Sequence, residues 1–484
     1  MPAQGPQPSH GPVAVIGAGV GGLAAALALR QQGFEVQLFE ASDRVGGIAA
    51  PMTLDESPFD AGPYVILDRA SLDDVFNRLG LELETSAGPL TRLKSVYSVH
   101  FADDEAPLHI HADKERTAAE LNLRWPGSGQ AYLRFIKESY AIYQKLRPLL
   151  FISRPGMRDI WRAGLMREIS FLLAPALRIL QQSELPAPVI RALGVWAQLG
   201  GQRLHAAPSP VVLIPAIFHE LGAWVPQRGM SAITETLHQA ACDRGVQIHT
   251  NTPIKCIVTQ KKRVRELLTK EGLRIPVQAV VSNVGALATY LSLIESPALN
   301  KHRRIWESLP LQSPGIAVYL KVRGASASQY LKFWSPNNDD WSTLRIDPEA
   351  LRGEPVDASH WRPMRLLGHM DYGEAELLGE QGQDEYVEHL IDTAWWREGL
   401  DEVRVLATRT PHDWGRALSM YANAVSPALT GQFMRSGRFH HRSPYIRGLY
   451  LTGSSTHPGQ WVSYCAISGL LAAECLTTDH RKKR

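Results

Sequence analysis

The chain has 484 residues, of which 44% are apolar and 20% charged, with a net charge of +3. That length accommodates two domains around a large core, and so small a net charge excludes a general nucleic-acid-binding surface. The four cysteines, Cys242, Cys256, Cys465 and Cys475, form no C-x-x-C pair and read as buried thiols of a reducing compartment.

Residues 1–12, MPAQGPQPSHGP, are rich in Pro, Gln and Gly and read as disordered. They hold no charged segment followed by an apolar one, so no signal peptide is expected. No apolar run reaches the roughly 18 residues of a spanning helix. The nearest run, Pro210 to Phe218, is short and broken by Pro215. The expectation is a cytoplasmic protein, soluble or lying on the inner face of the membrane.

The stretch Val13 to Gly47 carries the clearest local signal. Val13 to Ile16 is an apolar run with the character of a buried parallel strand. Gly17, Gly19 and Gly22 follow at dinucleotide spacing, then a helix from Leu23 to Arg30, a stop at Gly33, and a second strand from Glu35 to Phe39 ending at Glu40. Gly17 permits the tight turn, Gly19 a close approach to a pyrophosphate, and Gly22 close packing of helix on strand. The helix start offers unpaired N–H groups to an anion. Glu40 is placed to accept from ribose hydroxyls. The string after it, from Ala41 through Arg44 to Gly46 and Gly47, matches a flavin-protein extension of this fold, so the expected cofactor is FAD, bound without a covalent link.

Further along, residues 59–63, FDAGP, form a turn whose Gly62 can approach a flavin, and residues 72–79 read as a helix ending at Gly80. Residues 131–150 have apolar residues at helical spacing. Between residues 145 and 178, seven basic residues oppose only Asp159 and Glu168, with Phe151, Trp161, Leu165 and Phe171 interleaved. Such a basic amphipathic stretch suits an anionic membrane surface, and equally a core helix with a solvated face. Near residue 225 the chain returns to the nucleotide unit, with a helix at 231–243 and strands at 246–249, 251–258 and 279–285. Residues 300–430 hold strand-like runs (315–322, 364–370) and a helix at 384–396. The last segment has a strand at 449–452, a turn opened by Gly453, and a helix from Cys465. His440 and His441, between arginines, read as a solvated loop, and HRKKR as a basic tail.

Three blocks in order, the N-terminal fingerprint, RGMSAI…NTPI…VVSN, and GLYLTGSSTHPG, resemble the bacterial-type phytoene desaturase family, within the larger amine oxidase and GDI-like flavoprotein group. The resemblance covers about half the chain. It implies an α/β fold: a Rossmann-like FAD-binding domain of the GR2 type with a discontinuous α+β substrate domain. The FAD unit is expected at 13–95, 225–299 and 431–476, the substrate unit at 96–224 and 300–430, and the tail at 477–484. By motif match the FAD contacts are Gly17, Ala18, Gly19, Gly21, Gly22, Glu40, Ala41, Arg44, Gly46, Gly47, Gly62, Pro63, Ile254, Ser282, Asn283, Gly453, Ser454, Gln460, Trp461 and Val462.

The resemblance also implies a hydrophobic polyene or isoprenoid substrate, membrane contact through residues 145–178, and oxygen or a quinone as electron acceptor. The implied reaction is desaturation by hydride transfer to flavin N5. Gln460, Trp461, Val462, Ser463 and Tyr464 stand where the family usually has glycines and Pro-Gly, and Arg228 where it has glycine. Candidate catalytic residues are His457, Trp461 and Tyr464. His457 serves as a proton acceptor or as a structural turn residue, and the two aromatics as substrate platform or core. Ser454-Ser455 lacks the closing glycine of a G-x-S-x-G elbow. His219-Glu220 lacks the second histidine of a zinc helix, so no metal is expected. An isomerase or saturase, an amine oxidase and a non-enzymatic lipid escort of the GDI type are the competing functions.

Overall fold

The computed structural model describes residues 10–102, 104–325, 329–336, 341–351, 357–430 and 438–482. The first strand runs His10–Ile16, earlier than the predicted Val13, and His10 pairs with Phe34. Part of the segment read as disordered therefore joins the sheet, while residues 1–9 lie outside the described residues. Val13, Ala14 and Val15 are buried, as a central strand covered on both faces requires.

Five parallel strands form the sheet, in the order Leu449–Leu451, Ala279–Ser282, His10–Ile16, Phe34–Phe39 and Gln247–His249. Three distant parts of the chain thus build one doubly wound layer, the α/β class expected. The helix Val20–Gln31 follows the first strand. It crosses the C-terminal helix Val462–Arg481 very closely. A Cβ on Gly469 would lie 2.4 Å from the Gly21 carbonyl oxygen, so the crossing depends on a position with no side chain.

The C-terminal helix corrects one reading: it begins at Val462, before Cys465, and continues to Arg481, through most of the predicted tail. Asp479 accepts from Arg442 Nε at 2.6 Å and from the Tyr450 hydroxyl at 2.9 Å, and His480 meets Phe34 edge-on, which anchors the last turns. Residues 483–484 lie outside the described residues.

The second layer is a seven-stranded sheet that joins both insertions. Its order is Glu402–Arg409, Ile316–Arg323, Arg362–Gly368, Thr343–Ile346, Leu331–Ser335, Ser95–Phe101 and Asp104–His111. All neighbours are antiparallel except Leu331–Ser335 with Ser95–Phe101. Helices between residues 114 and 221 pack near its far end around Tyr97, Trp196, Phe218 and Phe333. Tyr97 meets those three rings edge-on at 5.4 to 5.9 Å between centroids.

Several boundaries moved. Asp68 caps a helix at Arg69–Arg78 by accepting from the Ser71 N–H. The helix placed at 384–396 is Tyr372–Asp392, interrupted at Gly379 with φ +64°. The basic stretch 145–178 is no continuous amphipathic helix. After Ser128–Leu146 it breaks into a turn at Arg147–Phe151 and short helices at Met157–Arg162, Ile169–Leu173 and Ala176–Gln181. Pro155, Gly156, Gly164 and Pro175 stand at or near the breaks, where helix interiors do not tolerate them. Cys242 is exposed rather than buried, and the other three thiols are partly buried.

Candidate active site

The two glycine loops dock on one another. The Gly46 N–H donates to the Ala18 carbonyl at 2.8 Å, and a Cβ on Gly47 would touch Gly19 Cα at 3.4 Å. Gly22 lies beneath the first loop, where its Cβ would stand 2.0 Å from the Gly17 oxygen. Asn283 forms the floor. Its side chain would lie 2.6 to 2.9 Å from a Cβ on Gly19, Gly21 or Gly453, so these glycines leave the space that the amide fills.

Glu40 closes the second strand. Its carboxylate accepts from the Ala18 N–H at 2.7 Å, the Ser42 N–H at 3.0 Å and the Ser42 hydroxyl at 2.9 Å. An ionised carboxylate has about four acceptor sites, so one remains for a ligand hydroxyl.

A cavity of about 1630 Å³ runs from these loops through the protein. It exceeds the roughly 300–1,000 Å³ of an ordinary small-molecule pocket, leaving room for a dinucleotide and a second ligand. Of the sequence-predicted residues, Gly17, Gly19, Gly21, Glu40, Ala41, Gly46 and Gly47 line it at one end. Asn283, Gly453, Ser454, Pro63 and Ile254 line it too, with His457, Gln460, Trp461, Val462 and Tyr464.

Others fall elsewhere. Ala18 contributes only its backbone, and Gly22 only packing. Ser282 is turned away, its hydroxyl 2.7 Å from that of Thr289 inside the core. Gly62 packs on Ile48, 2.6 Å from where its Cβ would be, and its neighbour Pro63 faces the cavity instead. Arg44 faces a small separate hollow shared with Arg409 and Tyr319. Arg228 is exposed and paired with Glu235 at 2.9 Å.

His457 Nε2 donates to the Leu149 carbonyl at 2.9 Å, and burial, with Arg438 nearby, lowers its pKa to about 4. The ring is therefore a weak base that ties the turn after Gly453 to residues 147–151. Trp461 and Tyr464 stack on each other, centroids 4.8 Å apart and 18° from parallel.

Two residues escaped the sequence reading. Arg438 lines the cavity and donates to the Ser454 carbonyl at 3.1 Å, and no carboxylate lies within ion-pair distance among the described residues. Burial lowers its pKa to about 10. A buried cation without an acid is costly unless an anion meets it. His441, read as solvated, is fully buried. Its Nδ1 lies 3.0 Å from the Ser153 hydroxyl and its Nε2 3.3 Å from Ser468 Oγ, which accepts from the Gly453 N–H at 2.9 Å. The only local signal was the histidine pair itself, because the partners are remote in sequence.

The donor set fits FAD: exposed backbone at the glycine loops, the Glu40 carboxylate at the end of the second strand, and a buried cation without a carboxylate partner among the described residues beside the Gly453 turn. No cluster of three metal-ligating side chains occurs among the described residues.

Three buried histidines predict an acid transition. Burial lowers the pKa of His219, His369 and His441 from 6.5 to about 4. The unfolded chain then binds more protons between those values. The stabilisation is complete above about pH 6.5 and is lost as pH falls towards 4, by up to about 1.4 kcal/mol per pH unit for each histidine. Thermal denaturation across this window is expected to show the loss, with a shallower slope in His441→Gln.

Comparison with known proteins places the chain. Residues 20–477 match the family described as flavin containing amine oxidoreductase. The zeta-carotene-forming phytoene desaturase of Myxococcus xanthus is 26% identical, over 96% of this chain and 94% of that protein. The lycopene-forming phytoene desaturase of Pseudescherichia vulneris is also 26% identical, over 96% and 99%. An oxidoreductase of known structure from Methanosarcina mazei superposes with a TM-score of 0.65 at 14% identity, over 96% of this chain and all of that one. The chain belongs to the flavin containing amine oxidoreductase family, and its cofactor is FAD.

Proposed function

We propose that this flavoenzyme desaturates an apolar polyene of the carotenoid type. The observation that carries the reading is one continuous cavity joining the glycine loops to an apolar mouth on the surface. When bound, FAD supplies a two-electron acceptor for C–H oxidation. The residues that would hold it are Gly17, Gly19, Glu40, Gly46, Asn283 and the turn from Gly453 to Val462, with Arg438 meeting its negative charge. The FAD-binding unit would comprise three stretches, from His10 to about residue 95, 225–299, and from about residue 431 to Arg481, and the substrate unit 96–224 and 300–430.

The protein's own part is positioning and exclusion of water. Trp196, Leu199, Leu213, Ile214 and Ile217 give the cavity an apolar wall along which an extended chain can lie. His457 holds the Leu149 carbonyl through Nε2, which suits a structural role in the turn after Gly453. An allylic cation is delocalised, so its proton is lost without a strong base.

Arg154, Met157, Ile160, Leu172 and Leu173 also line the cavity, and part of this segment is open to solvent. Met157 is 61% exposed, Trp161 67% and Leu173 60%, with Arg158, Arg162 and Arg167 around them. Lys145 and Arg147 are spent on Glu168 and Asp74. No helix among the described residues is long and apolar enough to cross a membrane. The reading is that this rim rests on an anionic bilayer and takes the substrate from it. In co-sedimentation, Trp161→Ser with Leu173→Ser is expected to reduce binding to anionic vesicles by about tenfold, losing roughly 1.4 kcal/mol of apolar burial. Unchanged binding would remove the rim from the account.

An amine oxidase is the alternative. Its aromatic cage needs two rings facing across a gap, whereas Trp461 and Tyr464 are in direct stacking contact. The test is incubation of the holoprotein with vesicle-borne polyenes and, separately, with apolar amines, with oxygen or a quinone analogue as acceptor. A product two hydrogens lighter from a polyene is expected. Turnover of amines alone would overturn the reading.

A further inference from the structure

Next to the apolar wall formed by Trp196, Leu199 and Leu213, the cavity carries a polar patch. Gln202 and His369 both line it and are 9% and 5% exposed. Gln202 Nε2 and His369 Nδ1 have no hydrogen-bond partner. The two belong to one site: a Cβ on Gly201, the neighbour of Gln202, would lie 2.9 Å from His369 Nε2 and 3.0 Å from Gln312 Nε2. Gln312 is already engaged. Its Oε1 accepts from Gln460 Nε2 at 3.1 Å and from the Ser426 hydroxyl at 3.2 Å, and its Nε2 donates to the Gly200 carbonyl. Gln312 thereby fastens this wall to Gln460, in the turn assigned to the cofactor.

The wall is polar without net charge. Arg203 lies 4.2 Å over the Trp341 ring behind His369 and is paired with Asp371 at 2.9 Å. Burial keeps the His369 imidazole neutral. A neutral imidazole offers one donor and one acceptor, and the Gln202 amide nitrogen offers donors. A hydrocarbon filling the cavity would shut water away from these groups and leave them unpaired. A hydroxyl or carbonyl oxygen would pair with them, and a carboxylate would find Arg203, the cation behind His369, already held by Asp371.

We propose that Gln202 and His369 bind a neutral oxygen function on the substrate, and that the enzyme prefers an oxygenated polyene or isoprenoid to the parent hydrocarbon. The proposal rests on the desaturase reading and narrows its substrate class. Loss of one buried hydrogen bond to a neutral group corresponds to about a tenfold change in affinity.

The test is a binding titration of the holoprotein with geranylgeraniol and with the hydrocarbon of the same skeleton, which requires no turnover. Wild type is expected to bind the alcohol at least about tenfold more tightly. Gln202→Leu and His369→Phe, each checked for bound flavin and thermal midpoint, are expected to bring that ratio close to one. Equal affinities in the wild type, or a ratio untouched in both variants, would overturn the proposal. Flavin bleaching by polyenes is recorded separately. A preserved alcohol preference with no bleaching by any polyene would count against desaturation while upholding the polar wall.

Discussion

Gly22→Ala is expected to yield a chain that folds less stably and no longer retains FAD. The added Cβ would stand 2.0 Å from the Gly17 oxygen and 3.2 Å from its carbonyl carbon. The clash is with backbone, so no side-chain rotation relieves it. Gly17 itself is fixed, with φ +90° and its N–H donating to the Phe39 carbonyl at 2.8 Å. Relief must come from moving the turn proposed to hold the pyrophosphate. Overpacking of this kind costs about 1–3 kcal/mol, and the upper end corresponds to about a hundredfold loss of FAD affinity. Gly373→Ala is the control, because nothing lies within 4 Å of its Cβ position. Flavin per polypeptide, read from the visible spectrum, checks both variants. Full occupancy in Gly22→Ala would mean that the loop tolerates what the geometry forbids.

Arg365→Met is expected to destabilise the protein by about 3–5 kcal/mol. Arg365 is 3% exposed, and it lies across the layers. Its Nη1 donates to the carbonyls of Asp60 at 2.5 Å and Gly62 at 3.2 Å. Tyr319 and Tyr330 donate to the carbonyls of Ala61 and Tyr64, each at 2.6 Å. Two side chains of the larger sheet, and Tyr330 just before its strand Leu331–Ser335, thus hold the loop that carries Pro63 into the cavity. The arginine also offsets the buried Asp60 carboxylate, whose pKa burial nonetheless raises.

Without Arg365, that pKa rises further. A raised carboxyl pKa favours the protonated folded state, so the penalty grows as pH increases past the unfolded value of 3.8. The deficit in the variant should therefore be larger at neutral pH than in mild acid. Urea titrations at two pH values would show it. A deficit independent of pH would leave the loss to the carbonyl contacts alone.

The nucleotide half of the site was legible because its demands are local. Gly17, Gly19 and Gly22 act within one turn, Glu40 ends the adjacent strand, and each requirement is met by a residue type at a fixed spacing. Asn283 and Gly453 were legible as the ends of two further parallel strands. What sequence could not supply was contact between remote segments. Arg365 reaches a loop some three hundred positions away, and Arg438 and His441 looked like part of a basic surface loop. The basic stretch misled in the opposite way. Its charge and aromatics gave an amphipathic stretch with no breaks assigned, although Pro155, Gly156, Gly164 and Pro175 already marked them.

The most direct measurement is the visible spectrum of the purified protein, taken without oxygen before and after a polyene is added. The account predicts one FAD per chain, bleaching of the flavin band on addition, and a red shift of the polyene absorption as conjugation lengthens. A protein that binds no flavin, or whose flavin stays oxidised in the presence of every polyene while an amine reduces it, would contradict it.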